Sequence, residues 1–460
     1  MTIIDDYLEY QEKYEKEYGE YTVVLMQVGH FFEAYAVDND KERPNADNIY
    51  RLSDVMNIQM TRKNKNIAEN SRKNPLMIGV NIYSSDKYIQ ILLNANYTVV
   101  MIEQTTPPPD PEREVTNIYS PGINIQHEIK GDSSNCVCVY IEVVKDLKKY
   151  KDIMNIGLSS IDLSTGQSKI FETFSNYNDK TLALDEAFRF IQITDPKEIL
   201  IYTKNLSMNN TEISGYLDLT SRVTHFKEFE DMPKEFFNIN YQKTFLSKVF
   251  KNTGLLSVIE YIDCERKPNG LVSYIALLDF AYKHNEQIIN EISKPNICEE
   301  NNNLILTNNS INQLNVVSHA SQNINMKFNS LYAVINNANT AIGRRYLRER
   351  LLNPITDIDT LNNRYDAISS MMELKDGRPK YLVYEESLKK IIDIERLHRR
   401  LGLKMLQPAD FGSIDVSYTY IKEMLNYDDT VLNKVKPDKI HIDKFNEFIE
   451  EYRKDFDMDE

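Results

Sequence analysis

The segment Gly29-His30-Phe31-Phe32-Glu33-Ala34-Tyr35 holds the residue types best suited to specific chemistry in this 460-residue chain. Before it runs Val23-Val24-Leu25-Met26-Gln27-Val28, a β-branched and apolar stretch that reads as a buried strand. Gly29 breaks the run and permits a tight turn. An aromatic ring on a turn beside a strand can act as a wedge between stacked bases. An acceptor two residues further on can reach a base edge next to that wedge. Taken alone, the same residues also describe one core aromatic, one partly exposed aromatic and a solvated carboxylate.

Resemblance separates these readings. Gly-His-Phe-Phe-Glu-Ala-Tyr resembles the Gly-x-Phe-Tyr-Glu motif of the MutS family of DNA mismatch-repair proteins. The resemblance places Phe31 on the family's base-stacking phenylalanine and Glu33 on its base-contacting glutamate. Phe32 stands where the usual motif has tyrosine, at a position expected to pack inward. Met60-Thr61-Arg62-Lys63 is similar to the family's Leu-Thr-Lys/Arg-Arg segment, and Tyr119-Ser120-Pro121-Gly122-Ile123 to its Thr-Pro-Gly-Thr segment. Asp162-Leu163-Ser164-Thr165-Gly166 resembles the family's connector domain, which has a ribonuclease-H-like fold. The run from Gly343 to Pro354 resembles the core or lever signature, in which the arginines serve structure more than DNA. Asp393-Ile394-Glu395-Arg396-Leu397 is similar to a segment of that same domain.

The elements that must position these residues follow from periodicity. Tyr7, Tyr10, Tyr14 and Tyr18 recur at helical spacing, so residues 3–18 are expected to form an amphipathic helix on the first domain. Leu76–Val80 reads as a strand end, Tyr88–Leu93 as a helix and Tyr97–Gln104 as a further strand, which Pro107–Pro111 ends. From about Asn135 the pattern is strand, strand, turn at Ser164-Thr165-Gly166, strand, helix over Thr181–Ile193, then strand over Glu198–Tyr202. Such alternation suggests an α/β layer. After Lys243 the pattern becomes helical, with a brief strand-and-turn interlude at Leu304–Leu314. Thr340 is a candidate N-cap, and Asn353-Pro354 closes that helix. A charged helix-like tail runs from Lys444 to Glu460. The expected fold is two α/β N-terminal domains, a mixed-sheet mismatch-recognition domain (1–125) and a ribonuclease-H-like connector (133–242). A mainly α-helical core/lever domain (243–460) follows.

Composition limits the partners. The length exceeds one ordinary core, and 42% hydrophobic content suffices for buried cores. The net charge of −15 argues against a DNA-coating protein. Screening over about 10 Å still permits a local contact surface. Residues 62–73 form such a candidate, with Arg62, Lys63, Lys65, Arg72 and Lys73 against the single acid Glu69. This polar loop is either simply solvated or a phosphate-contacting surface; Arg62, Lys63 and Lys65 are taken as the DNA-backbone candidates. No apolar run is long enough to cross a membrane. The acidic start Met1–Asp6 lacks the form of a signal peptide, so the expected location is intracellular, with DNA, in cytoplasm or nucleus. Cys136, Cys138, Cys264 and Cys298 read as structural thiols rather than a zinc site. No metal site is expected.

The ribonuclease-H-like fold also raises metal-dependent nuclease chemistry at Glu142 and Asp162. Two-metal catalysis needs several converging carboxylates. Asp162 leads directly into a turn, and the other acids nearby lie on the Lys145–Lys151 excursion, so no catalytic residue is assigned. Family members hydrolyse ATP with a Gly-x-x-x-x-Gly-Lys-Ser/Thr loop, and no Gly-Lys pair occurs in this sequence. ATP and magnesium are therefore expected only for a C-terminal domain outside it, and no cofactor is expected within it. The sequence corresponds to the N-terminal half of a family member, either a truncated piece or one chain of a split protein. The resemblance implies recognition of mismatches or small loops in double-stranded DNA. It also implies dimerisation through the missing ATPase part and a MutL-like repair partner. The alternative is a non-catalytic MutS-like protein that binds recombination junctions, or a dimerisation fragment.

Overall fold

The computed structural model describes residues 2–107, 111–124, 135–146, 151–176, 178–220, 222–298, 303–304, 306–318, 328–375, 377–427 and 430–458. Most of Pro107–Pro111, the Lys145–Lys151 excursion and the expected first domain boundary lie outside these residues. The chain divides into two compact bodies, Met1–Ala187 with Asp195–Ile297, and Phe188–Thr194 with Cys298–Glu460. Among the described residues, no helix is long and apolar enough to cross a membrane.

Among its described residues the first body contains two sheets. Its N-terminal part comprises α1 (Ile3–Tyr18), β1 (Thr22–Val28), β2 (Phe31–Ala36), α2 (Ala46–Met56), β3 (Thr61–Arg62), β4 (Leu76–Asn81), α3 (Ser85–Asn94), β5 (Thr98–Gln104) and β6 (Arg113–Tyr119). The sheet order is β3-β4-β2-β1-β5-β6, with β1 and β5 parallel and the other pairs antiparallel. Helix α1 is capped by Thr2, whose side chain accepts from Asp5 N while Asp5 accepts from Thr2 N. Tyr7, Tyr14 and Tyr18 are buried as the stripe predicts. Gln11 ties the helix to β1, donating to Thr22 O (2.8 Å) and accepting from Val24 N (2.9 Å). β6 carries no clear strand signal in the sequence, because its inner positions are only partly buried and the apolar alternation is weak.

The second sheet carries β7 (Asn135–Asp146), β8 (Lys151–Asp162), β9 (Gln167–Phe174), α4 (Leu182–Thr194), β10 (Glu198–Lys204), α5 (Asn210–Leu217), β11 (Val223–Glu228), α6 (Ile239–Val249), α7 (Val258–Tyr261), α8 (Pro268–His284) and β12 (Asn296–Ile297). Its order is β11-β10-β7-β8-β9-β12. The β7-β8-β9 meander is antiparallel, and β10 and β11 add in parallel beside β7, the arrangement expected of a ribonuclease-H-like connector. Helix α8 lies directly on this sheet. A Cβ added to Gly157 would come within 2.1 Å of Asn269 O, so only glycine permits that approach. Ser273 hydroxyl donates to Cys138 O at 2.8 Å. Residues 243–297 thus belong to the first body, where β12 adds to the edge of the second sheet, and the mainly helical body comprises Cys298–Glu460 with Phe188–Thr194, the last turns of α4, rather than starting at residue 243.

One buried carboxylate ties the two sheets together. Glu198, at the start of β10, is 0% exposed. It accepts from Ser120 hydroxyl (2.5 Å) and Gly122 N (3.1 Å), and pairs with His225 Nε2 (2.7 Å). The Ser120-Pro121-Gly122 exit segment is thereby latched to β10. Tyr18 packs edge-on against His225 and His284 above it. Burial pushes the Glu198 carboxyl up. The hydrogen bond and charge of His225, the charge of His284 and the Ser120 hydroxyl outweigh that and hold it below the usual glutamate value.

The second body contains α9 (Asn308–Gln313), α10 (Leu331–Ile335), α11 (Ala341–Leu352), α12 (Ile358–Met372), α13 (Tyr381–Leu388), α14 (Ile394–Gly402), α15 (Pro408–Leu425), α16 (Thr430–Val435) and α17 (Lys439–Asp455). Thr340 caps α11 by accepting from Gly343 N (3.1 Å), and the helix ends before Asn353-Pro354, as the sequence predicts. The interlude expected at Leu304–Leu314 is instead mostly helical. Thr307 caps α9 through Ser310 N, a polar signal that apolar periodicity misses. Arg345 reaches Asp393 (2.7 and 3.0 Å) and Glu395 (2.5 Å), joining two segments singled out separately in the sequence. Leu397, Ile414, Tyr418, Ile449 and Tyr452 form a small core.

The latch makes a pH-dependent prediction. Because the folded Glu198 carboxyl sits below the ordinary value of 4.5, its contribution is present above that pH and is lost as pH falls through the folded value. Glu198→Ala is expected to lower unfolding free energy by about 3 kcal/mol at pH 7. The difference from the unmodified chain should shrink below pH 4.5. Urea unfolding followed by far-ultraviolet circular dichroism checks this, since the chain has no tryptophan.

Candidate nucleic-acid interface

The β1–β2 hairpin turns through Gly29 and His30 alone. Its register pairs Val28 with Phe31, Gln27 with Phe32 and Met26 with Glu33. Gly29 takes φ +61°, and His30 does not take a positive φ. A positive φ at the first loop residue only is the II′ pattern, which matches the twist of the flanking strands. Phe31 is therefore the first residue of β2 and does not lie on the turn itself.

Strand alternation then sorts the side chains. Phe32, Ala34 and Ala36 share one face and are buried, so Phe32 packs inward as expected. Phe31, Glu33 and Tyr35 share the other face. Along it exposure falls from 46% at Phe31, through a half-buried Glu33, to 1% at Tyr35. The cause is α1, which covers only the far end of the hairpin. Tyr7 stands edge-on to Tyr35 with ring centroids 5.2 Å apart, and its hydroxyl donates to Val24 O at 3.2 Å. The Tyr35 hydroxyl donates to Glu33 Oε2.

The hairpin tip is braced from both sides. Gln27 Nε2 donates to Gly29 O (3.2 Å), and Gln27 Oε1 accepts from Gln104 N (2.9 Å). Arg113 Nε donates to Gln27 O (3.0 Å), and Ile82 N donates to His30 O (3.1 Å). Nothing local in the sequence marks Gln27, Gln104 or Arg113 as a support. They are distant in the chain and meet only through the β1–β5–β6 order. Tyr83, 93% exposed, follows Asn81, which pairs with Phe31 across β2 and β4. A lone tyrosine outside any apolar pattern gave no signal.

The backbone candidates lie elsewhere. β3 pairs Arg62 with Leu76, whereas Phe31 pairs with Asn81. Five residues along β4 separate the two levels by about 17 Å. The Arg62 guanidinium donates to Ile67 O and Ala68 O and shapes its own loop. Lys63 and Lys65 are exposed. Arg72 pairs with Asp5 and Glu42. The fold thus brings Phe31 and Glu33 together and leaves Arg62, Lys63 and Lys65 at the opposite end of the sheet.

The acidic residues considered for nuclease chemistry are separately engaged. Glu142 pairs with Lys204 at 2.6 Å, and Asp162 accepts from Ser164 N and Oγ within its turn. Among the described residues no three His, Cys, Asp or Glu side chains gather as a metal site. Cys136, Cys138 and Cys264 are buried free thiols.

Residues 4–128 match the family description "MutS domain I", and residues 309–455 match "MutS domain III". Over its full length the chain is 32% identical to a putative DNA mismatch repair protein, a MutS homologue, of Acanthamoeba polyphaga mimivirus, spanning 42% of that protein. The chain belongs to the MutS family. It is also 24% identical over 92% of its length to the DNA mismatch repair protein MutS of Caldanaerobacter subterraneus, of which it spans 43%. With MutS of Borreliella afzelii the identity is 25% over 94% of the chain and 45% of the relative. This MutS-family chain therefore spans less than half the length of the curated relatives it matches, and it corresponds to their N-terminal half. The two matched segments fall on the first sheet and on the helical body.

If Gln27 braces the tip, Gln27→Ala should weaken the hairpin end by about 1 kcal/mol, the net worth of a typical hydrogen bond. Hydrogen exchange should quicken at the β1–β2 pair near Val28 and Phe31 and stay unchanged in β7–β11.

Proposed function

We propose that this chain recognises mispaired or unpaired bases in double-stranded DNA within mismatch repair. Phe31 acts as an aromatic wedge and Glu33 as a hydrogen-bonding partner of a base in kinked duplex. The observation that carries this reading is the exposure gradient on β2: Phe31 is half exposed at the end of a sheet that α1 leaves uncovered, and Glu33 follows on the same face.

The chemistry is recognition. A mispaired base stacks poorly, so opening or bending the duplex at that step costs less than in matched DNA. An aromatic ring inserted there recovers stacking energy and holds the kink. One base stacked on one ring is worth about 1–3 kcal/mol. Glu33 faces repulsion from phosphates, which a hydrogen bond to a base nitrogen must offset. The charge of −15 keeps matched DNA weakly held, so the difference between duplexes rests on the tip. Lys63 and Lys65, at the far end of the sheet, would add phosphate contacts that position without discriminating.

ATP hydrolysis with magnesium, dimerisation and contact with a MutL-like partner belong in this reading to the part of the family length beyond this chain. The Phe31-x-Glu33 pair favours mismatch reading over junction binding.

Competition between mismatched and matched duplexes of one sequence tests the proposal. Phe31→Ala should lower the preference about tenfold or more, as the stacking energy implies. Glu33→Ala should change the preference more than the affinity for matched DNA. Equal loss on both duplexes would contradict the role given to Glu33.

A further inference from the structure

We infer that Tyr35 is the positioning residue for Glu33: its buried hydroxyl donates to the carboxylate and fixes it on the Phe31 face of β2. The inference rests on the proposed roles of Phe31 and Glu33 and adds the group that sets the geometry of the second.

Tyr35 lies two residues beyond Glu33 and therefore on the same face of the strand. Its ring is 1% exposed and locked edge-on, at 83°, against Tyr7. Tyr7 is itself held by its bond to Val24 O, and Asn45 Nδ2 donates both to Tyr7 hydroxyl (3.4 Å) and to Tyr35 O (2.8 Å). The Tyr35 ring therefore cannot shift without displacing α1 or the start of α2. Its hydroxyl reaches out of this packed base to Glu33 Oε2.

Burial first, and then the bond to Glu33, push the Tyr35 hydroxyl well above the ordinary tyrosine value. It remains a proton donor throughout the neutral range. An ionised carboxylate offers about four lone-pair sites. Tyr35 occupies one on Oε2, and Oε1 stays available for a base. Without the hydroxyl, Glu33 would be a flexible surface acid, free to turn from the base edge toward solvent. Preorganisation of this kind raises selectivity by removing ordering costs at the moment of binding.

Tyr35→Phe deletes one oxygen and keeps the ring packed on Tyr7. The 460-residue chain carrying Tyr35→Phe, Glu33→Ala, both, or Phe31→Ala should be compared in competition between mismatched and matched duplexes, with thermal unfolding alongside. Tyr35→Phe should keep matched-duplex affinity and lower mismatch preference about three- to tenfold, the scale of one typical hydrogen bond. In the Glu33→Ala background the same change should have no further effect, because the two side chains act as a unit. An unchanged preference in Tyr35→Phe, beside a clear loss in Phe31→Ala, would overturn this inference and leave the proposed function standing. An equal loss with and without Glu33 would also overturn it, by showing that the hydroxyl acts through packing. A preference absent from the unmodified chain, or untouched by Phe31→Ala, would overturn the proposed function and this inference together.

Discussion

The two-residue turn at Gly29-His30 decides which face of β2 meets solvent, and the site depends on that register. Side chains alternate along a strand, so a slip of one residue would bury Phe31 and Glu33 and expose Phe32 and Ala34. Gly29 is the residue that can hold φ +61° there without cost. Gln27 adds hydrogen bonds that fix the tip from the β5 side, and Ile82 does so from the β4 side. The proposed wedge would have to resist the duplex it opens, and a hairpin tied to both neighbouring strands would supply that resistance where a free loop could not.

The same logic of exposed function on a buried base recurs through the first body. Tyr7 and Tyr35 form the packed floor beneath Glu33, and Tyr14 and Tyr18 continue the stripe along α1 toward the Glu198 latch. α1 thus connects the packed floor beneath Glu33 to the joint with the second sheet. At that joint, a carboxylate with no exposed surface receives the Ser120 hydroxyl, the Gly122 amide and the His225 ring. A buried charge so fully bonded fixes one arrangement of the two sheets, since any other would leave it unpaired.

Much of this was legible in the sequence because it depends on local pattern. The tyrosine spacing gave α1, the apolar run gave β1, and Thr340 with Asn353-Pro354 bounded α11. Phe31 and Glu33 were found by motif and now stand on one face of one strand. Long-range placement was not legible. Arg62, Lys63 and Lys65 sit close to Phe31 in sequence, yet the antiparallel β2–β4–β3 path carries them to the far end of the sheet. The dependence of Gln27 on Gln104 and Arg113 spans more than 70 residues. The helices after residue 243 read as a new domain because their composition changes, although α8 packs across β7, β8 and β9. Composition reports the type of an element, and only packing reports its partner.

The most direct test of the central claim is the fluorescence of a 2-aminopurine placed at the mispair, because its emission reports stacking of that single base. Binding of the chain to the mispaired duplex should change the emission as the base leaves its neighbours for Phe31, and the matched duplex should show no such change. Binding of mispaired duplex with unaltered emission would contradict the account, because the chain would then hold DNA without an aromatic ring entering it.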